Sequence, residues 1–312
     1  MILVAAAVGL ALLALPGLAR PLGRRLEPGR WARLAAAGLL AGAALFELAL
    51  VLAAAPPILR ASDLVQLARA CQRMLGALEP GGQWLGIAAA LLAVLLPVAF
   101  WRAVAGARGV NRRMRVGAGL GAHRRLACGA ELVVLPSEVP LVVSVPGEPG
   151  QIIVSDAVLA SLDDTEVELV CRHESAHLRL RHARYLELAV AVERTFRVWP
   201  LARLSTRALR VALERWADEV AAGAGREPRS VLRDALLSVA LAEVSNEIAA
   251  LGGTGLLERI DALAGHPPRS STASRWLFLV PGLSLGVLAA YSVSIWGHEA
   301  YCAVAMSGCM GS

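Results

Sequence analysis

The chain has 312 residues, of which 56% are hydrophobic and 18% are charged, and its mean hydropathy is +0.57. Such an apolar excess is unusual for a soluble domain, and it excludes a mainly disordered chain, which requires low hydrophobicity. The formal net charge of +6 arises from arginine alone, since the sequence contains no lysine, and is a weak indication of nucleic-acid binding. Five irregularly spaced cysteines form neither a disulfide framework nor a CxxC zinc site. The composition therefore predicts an integral membrane protein.

Four apolar stretches approach or reach the length needed to cross a bilayer, which is about 20 residues. They are residues 2–19, 34–54, 85–100 and 277–295. Trp84 and Trp101 flank the third stretch, and Trp276 and Trp296 flank the fourth, which is typical of tryptophans at membrane interfaces. The sequence thus predicts a mostly α-helical membrane protein with four transmembrane helices.

Arginine is distributed unevenly over the segments that connect these stretches. Five arginines lie at 20–33 and seven at 102–125, whereas three lie between the second and third stretches and none follows Trp296. The positive-inside rule then predicts a multi-pass protein with both termini outside and a cytoplasmic region 102–275. No basic segment precedes the first stretch, which favours a retained span over a cleaved signal peptide. Residues 1–101 would then hold three spans, and 276–312 the fourth span with a short outer tail.

The region 102–275 is predicted to be an α+β domain. Three β-rich runs separated by Pro and Gly predict a small antiparallel sheet or hairpin. These runs are residues 131–135, 141–145 and 151–154. Asp163, with Glu166 three residues later, predicts a capping box at the start of a helix. This helix is expected to extend to about Arg197, because Pro200 cannot continue it. Further helices are expected at about 201–224, 230–249 and 256–263.

The first long helix contains His173-Glu174-Ser175-Ala176-His177, which has the form H-E-x-x-H. Two histidines four residues apart lie on one face of a helix, so both imidazoles can bind the same metal ion. Neutral imidazole is a good zinc ligand, and Glu174 projects from the same flank, where it can accept a proton from water. The motif therefore predicts zinc-dependent hydrolysis with Glu174 as the general base.

A hydrolytic zinc site normally has three protein ligands, so one more must come from elsewhere in the chain. The next long helix contains Glu214 and Asp218, which are four residues apart and share one face. We expect Glu214 to be the third ligand and Asp218 to accept a ring N–H from a ligand histidine.

Other polar residues are predicted to lie outside this ligand set. Glu193 is too far along the first helix, and Glu219 should point away from Asp218. His182 should project near the opposite face of the helix that carries His173 and is not expected to be a ligand. Glu47 lies within the second apolar stretch and is either a functional group or a protonated or paired carboxyl between helices.

The two motifs together carry a resemblance to a known family. With H-E-x-x-H at 173–177 and E-x-x-A-D at 214–218, on a domain between the third and fourth spans, the chain resembles the beta-lactam-sensing antirepressors, the BlaR/MecR signal transducers. The resemblance covers about residues 1–296. Those proteins carry a large extracellular penicillin-binding domain after the fourth span. Here 16 residues follow Trp296, without Ser-x-x-Lys, so beta-lactam sensing by this chain itself is not expected.

The resemblance implies a gluzincin-like peptidase domain inserted between membrane helices of the cell membrane. It implies one zinc ion per chain, bound by His173, His177 and Glu214, with Glu174 as the general base. It also implies a cytoplasmic protein substrate, either a winged-helix repressor or the chain itself, and no direct contact with nucleic acid.

Two alternatives stay open. HtpX-like stress proteases and CAAX prenyl proteases share both motifs but usually place membrane helices between them, whereas residues 178–213 contain eight arginines and no 18-residue apolar run. The other alternative is a membrane scaffold or receptor that binds zinc without catalysis. Glu174 argues against it, because zinc binding requires only the ligands.

Overall fold

The computed structural model describes residues 2–61, 82–125, 130–223, 225–245 and 255–265, which are mostly helical with one small sheet. The helices are α1 (Ile2–Leu18), α2 (Arg20–Arg25), α3 (Pro28–Ala61), α4 (Gly82–Gly117), α5 (Asp156–Ser161), α6 (Asp164–Arg179), α7 (His182–Thr195), α8 (Pro200–Ala222), α9 (Arg226–Ser245) and α10 (Leu256–Ala264). The strands are β1 (Ala122–Arg125), β2 (Glu131–Leu135), β3 (Val142–Val145) and β4 (Gln151–Ser155). The predicted fourth span at 277–295 and its outer tail lie outside the described residues.

Two of the described helices are long and apolar enough to cross a membrane. They contain the apolar segments Pro28–Ala55 in α3 and Trp84–Gly117 in α4, while α1 is apolar but shorter, at 17 residues. Helix α4 passes through Pro97 and continues to Gly117, well beyond the predicted end of the third span at Phe100. The continuation is rich in Ala and Arg, which are good helix formers, so the chain has no local reason to leave the helix there.

Contacts divide the chain into two compact units. In the first unit, which includes residues 2–13, 38–61 and 82–99, α1 and α3 approach each other at glycines. A Cβ atom on Gly42 would lie 2.8 Å from the backbone oxygen of Gly9. Small residues allow helix backbones this close together, so Gly42 of the second apolar stretch serves packing within the chain.

The second unit includes Ala14–Ala37 and the described residues that follow Ala99. Its sheet has the strand order β1-β2-β4-β3, with β2 parallel to β4 and both outer strands antiparallel to their neighbours. The predicted hairpin is therefore confirmed for β3 and β4, whereas an antiparallel sheet is wrong for β2 and β4. All five residues of β4 are buried, which suits a strand with neighbours at both edges and cover on both faces. The strand β1 escaped prediction because Ala-His-Arg-Arg has no apolar alternation.

One face of the sheet supports the helix that carries the H-E-x-x-H motif. Cys171 and Leu178 of α6 pack against the buried side chains of Leu132 and Ile152. The predicted capping box at the start of α6 is confirmed. The backbone N–H of Glu166 donates to the Asp163 carboxylate (2.8 Å), and the backbone N–H of Asp163 donates to the Glu166 carboxylate (3.0 Å).

The predicted helix from Asp163 to about Arg197 is two helices, so that prediction is wrong. Helix α6 ends at Arg179, α7 begins at His182, and Arg181 between them has a left-handed backbone with φ 55° and ψ 41°. A non-glycine residue rarely adopts this conformation, and no Gly or Pro marks the break in the sequence. The break changes the direction of every side chain after it, including that of His182.

Helix α8 lies at the centre of the second unit and contacts both α6 and α7. It also contacts the last turn of α1 and the short helix α2. The backbone N–H of Gly17 donates to Ser205 Oγ (2.9 Å), and the Arg215 guanidinium donates to the carbonyl oxygen of Gly23 (3.5 Å). These contacts fix the face of α8 that is turned towards α6.

Candidate metal centre

Three side chains from two helices converge on one point in the second unit. Nε2 of His173 lies 3.0 Å from Nε2 of His177 and 3.5 Å from Oε2 of Glu214. Nε2 of His177 lies 3.7 Å from Oε1 of Glu214. Tetrahedral ligands at the usual zinc distances are about 3.3 Å from one another. The group fits that spacing and could hold a metal ion.

The local folding that builds this group follows from the sequence. His173 and His177 share a face of α6 because they are four residues apart, and their rings meet edge to face with centroids 4.8 Å apart. Pro200 opens α8 at its first position, where the missing N–H is tolerated. The chain then returns along α6 and brings Glu214 to the two rings.

Asp218 and Arg259 surround the ligand group on the His173 side. Nδ1 of His173 lies 2.9 Å from Oδ1 of Asp218. The guanidinium of Arg259, from α10, donates to both oxygens of Asp218 at 2.8 Å and lies 3.1 Å from Glu214 Oε2. Arg259 was not predicted, because nothing in a nine-residue amphipathic helix 41 residues after Asp218 marks one arginine as a partner of two acids.

This arrangement sets the protonation states of the group. Burial raises the pKa of both Glu214 and Asp218, but the positive charge of Arg259 outweighs it and holds both below their usual values. Burial lowers the pKa of His173, yet the hydrogen bonds to Asp218 and Glu214 outweigh that effect and raise it to about 10. Burial also lowers the pKa of His177. Without a metal ion the site therefore holds one protonated histidine between two carboxylates, and metal binding must displace that proton.

His182 lies on the other side of the group, contrary to the sequence prediction. Its side chain is fully buried, and its Nδ1 is 2.9 Å from Nδ1 of His177. The rings of Trp216 and Tyr185 pack around it, with centroids at 5.1 and 6.3 Å. The prediction of an opposite-face position assumed a continuous helix, and the left-handed Arg181 turns His182 back towards His177 instead.

Glu174 is half-buried on α6 between the two histidines. Its negative charge acts on His177 and on Arg259, where it favours the protonated forms. The carboxylate therefore lies within electrostatic reach of the ligand group without belonging to it. A proton acceptor beside a metal ion needs such a position.

The two acids that the sequence excluded have other partners. Glu193 pairs with Arg210 (3.3 Å), and Glu219 forms two hydrogen bonds with Arg229 (2.7 and 3.1 Å). Neither carboxylate belongs to the group of potential metal ligands among the described residues. Within the described residues, the only group of three or more potential metal ligands is His173, His177 and Glu214.

Comparisons of the chain with protein-family models, with curated proteins and with solved structures found no match. A functional assignment therefore depends on the arrangement of these side chains. They form a group that could hold a metal ion, in a chain with two helices that could span a membrane.

Proposed function

We propose that the chain is an integral membrane zinc metalloendopeptidase that hydrolyses a cytoplasmic protein in signal transduction. One observation carries the proposal. The two histidines of an H-E-x-x-H motif and a glutamate from a second helix meet at ligand spacing, with Glu174 beside them. A site that only stored metal would need no such additional carboxylate.

The chemistry divides among the side chains as follows. A divalent metal ion bound by this group would act as a Lewis acid on the carbonyl oxygen of the substrate and on a water molecule. Glu174 takes the proton of the attacking water and passes it to the nitrogen of the leaving amine. Asp218 fixes the His173 ring so that its Nε2 faces the metal, and Arg259 holds the carboxylates of Asp218 and Glu214 in place.

The contacts of residues 20–33 support a cytoplasmic site. Arg20 and Arg24 both pair with Glu258 of α10, the latter at 2.7 Å, and Arg33 lies over the ring of Trp216 at 5.1 Å. These contacts favour a placement of the arginine-rich segment after α1 on the same side of the membrane as the metal ligands. If the positive-inside rule holds for that segment, the site faces the cytoplasm.

The same features favour the antirepressor-like function over the alternatives. Helix α7 and the part of α8 before Glu214 separate the two motifs, and neither helix is among the described helices that could span a membrane, unlike the arrangement usual in HtpX-like and CAAX proteases. A repressor protein, or the chain itself, is the proposed substrate.

The decisive experiment compares the purified full-length chain with Glu174→Gln in cleavage of proteins encoded beside it. We expect the parent to cleave one of them, chelator to abolish cleavage, and Glu174→Gln to bind zinc but lose at least about 100-fold in rate, the typical contribution of a general base. Glu168→Gln is the matched control, since Glu168 is exposed on the same helix and pairs with Arg172. Equal rates for Glu174→Gln and the parent would leave only a zinc-binding scaffold.

A further inference from the structure

His182 is a fully buried histidine for which packing alone gives no reason. One of its ring nitrogens, Nε2, is buried and has no hydrogen-bond partner among the described residues. A buried polar atom without a partner destabilises a fold relative to an apolar side chain of similar size. The other nitrogen, Nδ1, makes the contact of 2.9 Å with His177 Nδ1.

Only one direction of this hydrogen bond is compatible with metal binding. Of two facing ring nitrogens, one must carry the hydrogen and the other must offer a lone pair. For His177 to bind a metal through Nε2, its single ring hydrogen must be on Nδ1. His177 then donates and His182 accepts. If His182 donated instead, the hydrogen of His177 would be on Nε2 and would block the ligand position.

We propose that His182 is a positioning residue for the metal ligand His177, accepting its Nδ1–H and so keeping Nε2 free and aimed at the metal. On the other side of the site, Asp218 Oδ1 lies 2.9 Å from His173 Nδ1. Metal-bound histidines usually donate their second N–H to a carboxylate, a carbonyl or water, and here the acceptor is a neutral imidazole. This inference rests on the metal site of the proposed function, but not on catalysis.

The test uses two substitutions of similar size in the full-length protein in detergent. In His182→Asn, the amide oxygen can take the place of Nδ1 as acceptor, whereas His182→Leu fills the space without an acceptor. Zinc affinity is measured by chelator competition, and ligand geometry by the visible spectrum of the cobalt-substituted protein. We expect His182→Leu to weaken zinc binding about 10- to 100-fold and to change the cobalt spectrum, and His182→Asn to stay within about threefold.

Thermal unfolding of the metal-free variants separates positioning from folding. We expect His182→Leu to unfold close to the parent, because it removes one unpartnered buried nitrogen and leaves another, His177 Nδ1, without its partner. Parent-like zinc affinity in His182→Leu would overturn the proposal, and so would equal losses in the two variants. A parent that binds zinc but cleaves nothing would overturn the proposed peptidase while leaving this test intact.

A second, independent observation concerns the cleft beside the site. A cleft of about 1020 Å³ in the second unit is lined by the last turns of α4, by β3 and its following turn, and by α6 and α7, including His177. Five arginines on its walls have no acidic partner among the described residues. They are Arg113, Arg179, Arg181, Arg184 and Arg194. Arg108 is neutralised by Glu187 (2.9 Å), and Glu148 is the remaining acid of the lining.

We infer that this cleft binds an acidic segment of the protein substrate. Guanidinium groups bind carboxylates in a bidentate manner, and several arginines without an acidic partner in the described part of the chain attract negative charge to one concave surface before contact. The inference names the substrate class of the proposed peptidase. A peptide rich in Glu on one side of the scissile bond matches the charge of the walls, and a basic one does not.

The probe is a set of three fluorescein-labelled decapeptides that differ only in four positions, which are all Glu, all Gln or all Arg. Their binding to zinc-loaded Glu174→Gln is followed by anisotropy, so hydrolysis is not required. We expect the Glu peptide to bind at least tenfold more tightly than the Gln peptide, and Arg181→Gln with Arg184→Gln to remove that difference.

Arg203→Gln with Arg207→Gln is the matched control, since both arginines are exposed on α8 and do not line the cleft. The control variant should keep the preference. Equal binding of the three peptides would overturn the inference even if the parent proves to be a peptidase. Binding of phosphatidylglycerol micelles but of no peptide would overturn it in favour of a lipid headgroup.

Discussion

The two histidine ligands lie in different surroundings, although both are on one helix and point at one metal position. His173 is held by charged groups, Asp218 and behind it Arg259. His177 is held by a neutral ring, His182, against Trp216. The pKa of His173 is raised to about 10, whereas burial lowers the pKa of His177. The site thus has a charged side and a neutral side.

Because of this asymmetry, the two sides of the site contribute differently to metal binding. On the charged side a proton occupies the position that a metal ion would take, so protons and metal compete there. On the neutral side the ring is ready to bind, and its orientation depends on packing and one hydrogen bond. Changes on the charged side should therefore alter how metal binding depends on pH, and changes on the neutral side should mainly alter ligand orientation.

Removing a metal ligand should have the largest effect, because without it neither the charged nor the neutral side of the site can hold the metal ion. Zinc sites in proteins bind with about 10–16 kcal/mol of apparent free energy, so losing one of three ligands costs on the order of a thousandfold in Kd. We expect His173→Ala and Glu214→Ala to fall from about one zinc per chain to almost none after dialysis against a weak chelator. Full zinc content in Glu214→Ala would place the third ligand elsewhere.

The pH dependence of zinc binding tests the charged side directly. The pKa of His173 is about 10 in the folded metal-free protein, so below that pH its proton must leave when zinc binds. Zinc affinity should then rise about tenfold per pH unit, or about 100-fold from pH 6 to pH 8, in competition titrations corrected for the chelator. An affinity that does not change over this range would show that His173 is already neutral.

The same pKa difference predicts how stability depends on pH. Because folding raises the pKa of His173 from 6.5 to about 10, its contribution to the free energy of unfolding is complete below pH 6.5. That contribution is lost as the pH rises through about 10. Thermal unfolding of the metal-free protein in detergent should therefore move to lower temperature over this range, and a zinc-loaded sample should not share the shift.

The sequence could predict the charged side except for Arg259, and only half of the neutral side. Helical spacing placed His173 and His177 together, and the second motif supplied Glu214 and Asp218. Nothing local marks the left-handed Arg181, so His182 was assigned to the wrong face. Arg259 reaches the site because α10, a helix far along the chain, packs there. The periodicity of apolar residues in the sequence does not predict such tertiary contacts.

The parallel pairing of β2 with β4 escaped prediction for a related reason. Short runs bounded by proline and glycine predict strands, but the partner of a strand depends on which edge the rest of the fold leaves available. The hairpin of β3 and β4 is local, so the sequence could predict it. The pairing of β2 with β4 joins Leu132 to Ile152, which are 20 residues apart, and the sequence could not predict it.

Asp218→Asn should have an intermediate effect, confined to the charged side. The amide oxygen can still accept the ring N–H of His173, but the negative charge that favours the protonated ring is gone and Arg259 loses an ion pair. We expect zinc affinity at pH 7 to weaken about 10-fold, within the range usual for such partners, and its dependence on pH to flatten. An unchanged dependence on pH would mean that Glu214 alone sets the protonation of His173.

The smallest effect is expected from Gly29→Ala, which disturbs the neutral side from a distance. A Cβ atom on Gly29 would lie 2.5 Å from the ring of Trp216, so that ring must move away from its contact with His182. Overpacking of this kind typically costs about 1–3 kcal/mol of stability. Zinc affinity should weaken only about two- to fivefold, because the hydrogen bond between His182 and His177 can persist with a tilted ring, and the pH dependence should stay as in the parent. Gly109→Ala is the control, since a Cβ atom there would meet nothing closer than the Arg113 guanidinium at 3.9 Å. A changed pH dependence in Gly29→Ala would mean that the two sides of the site are coupled through the metal position.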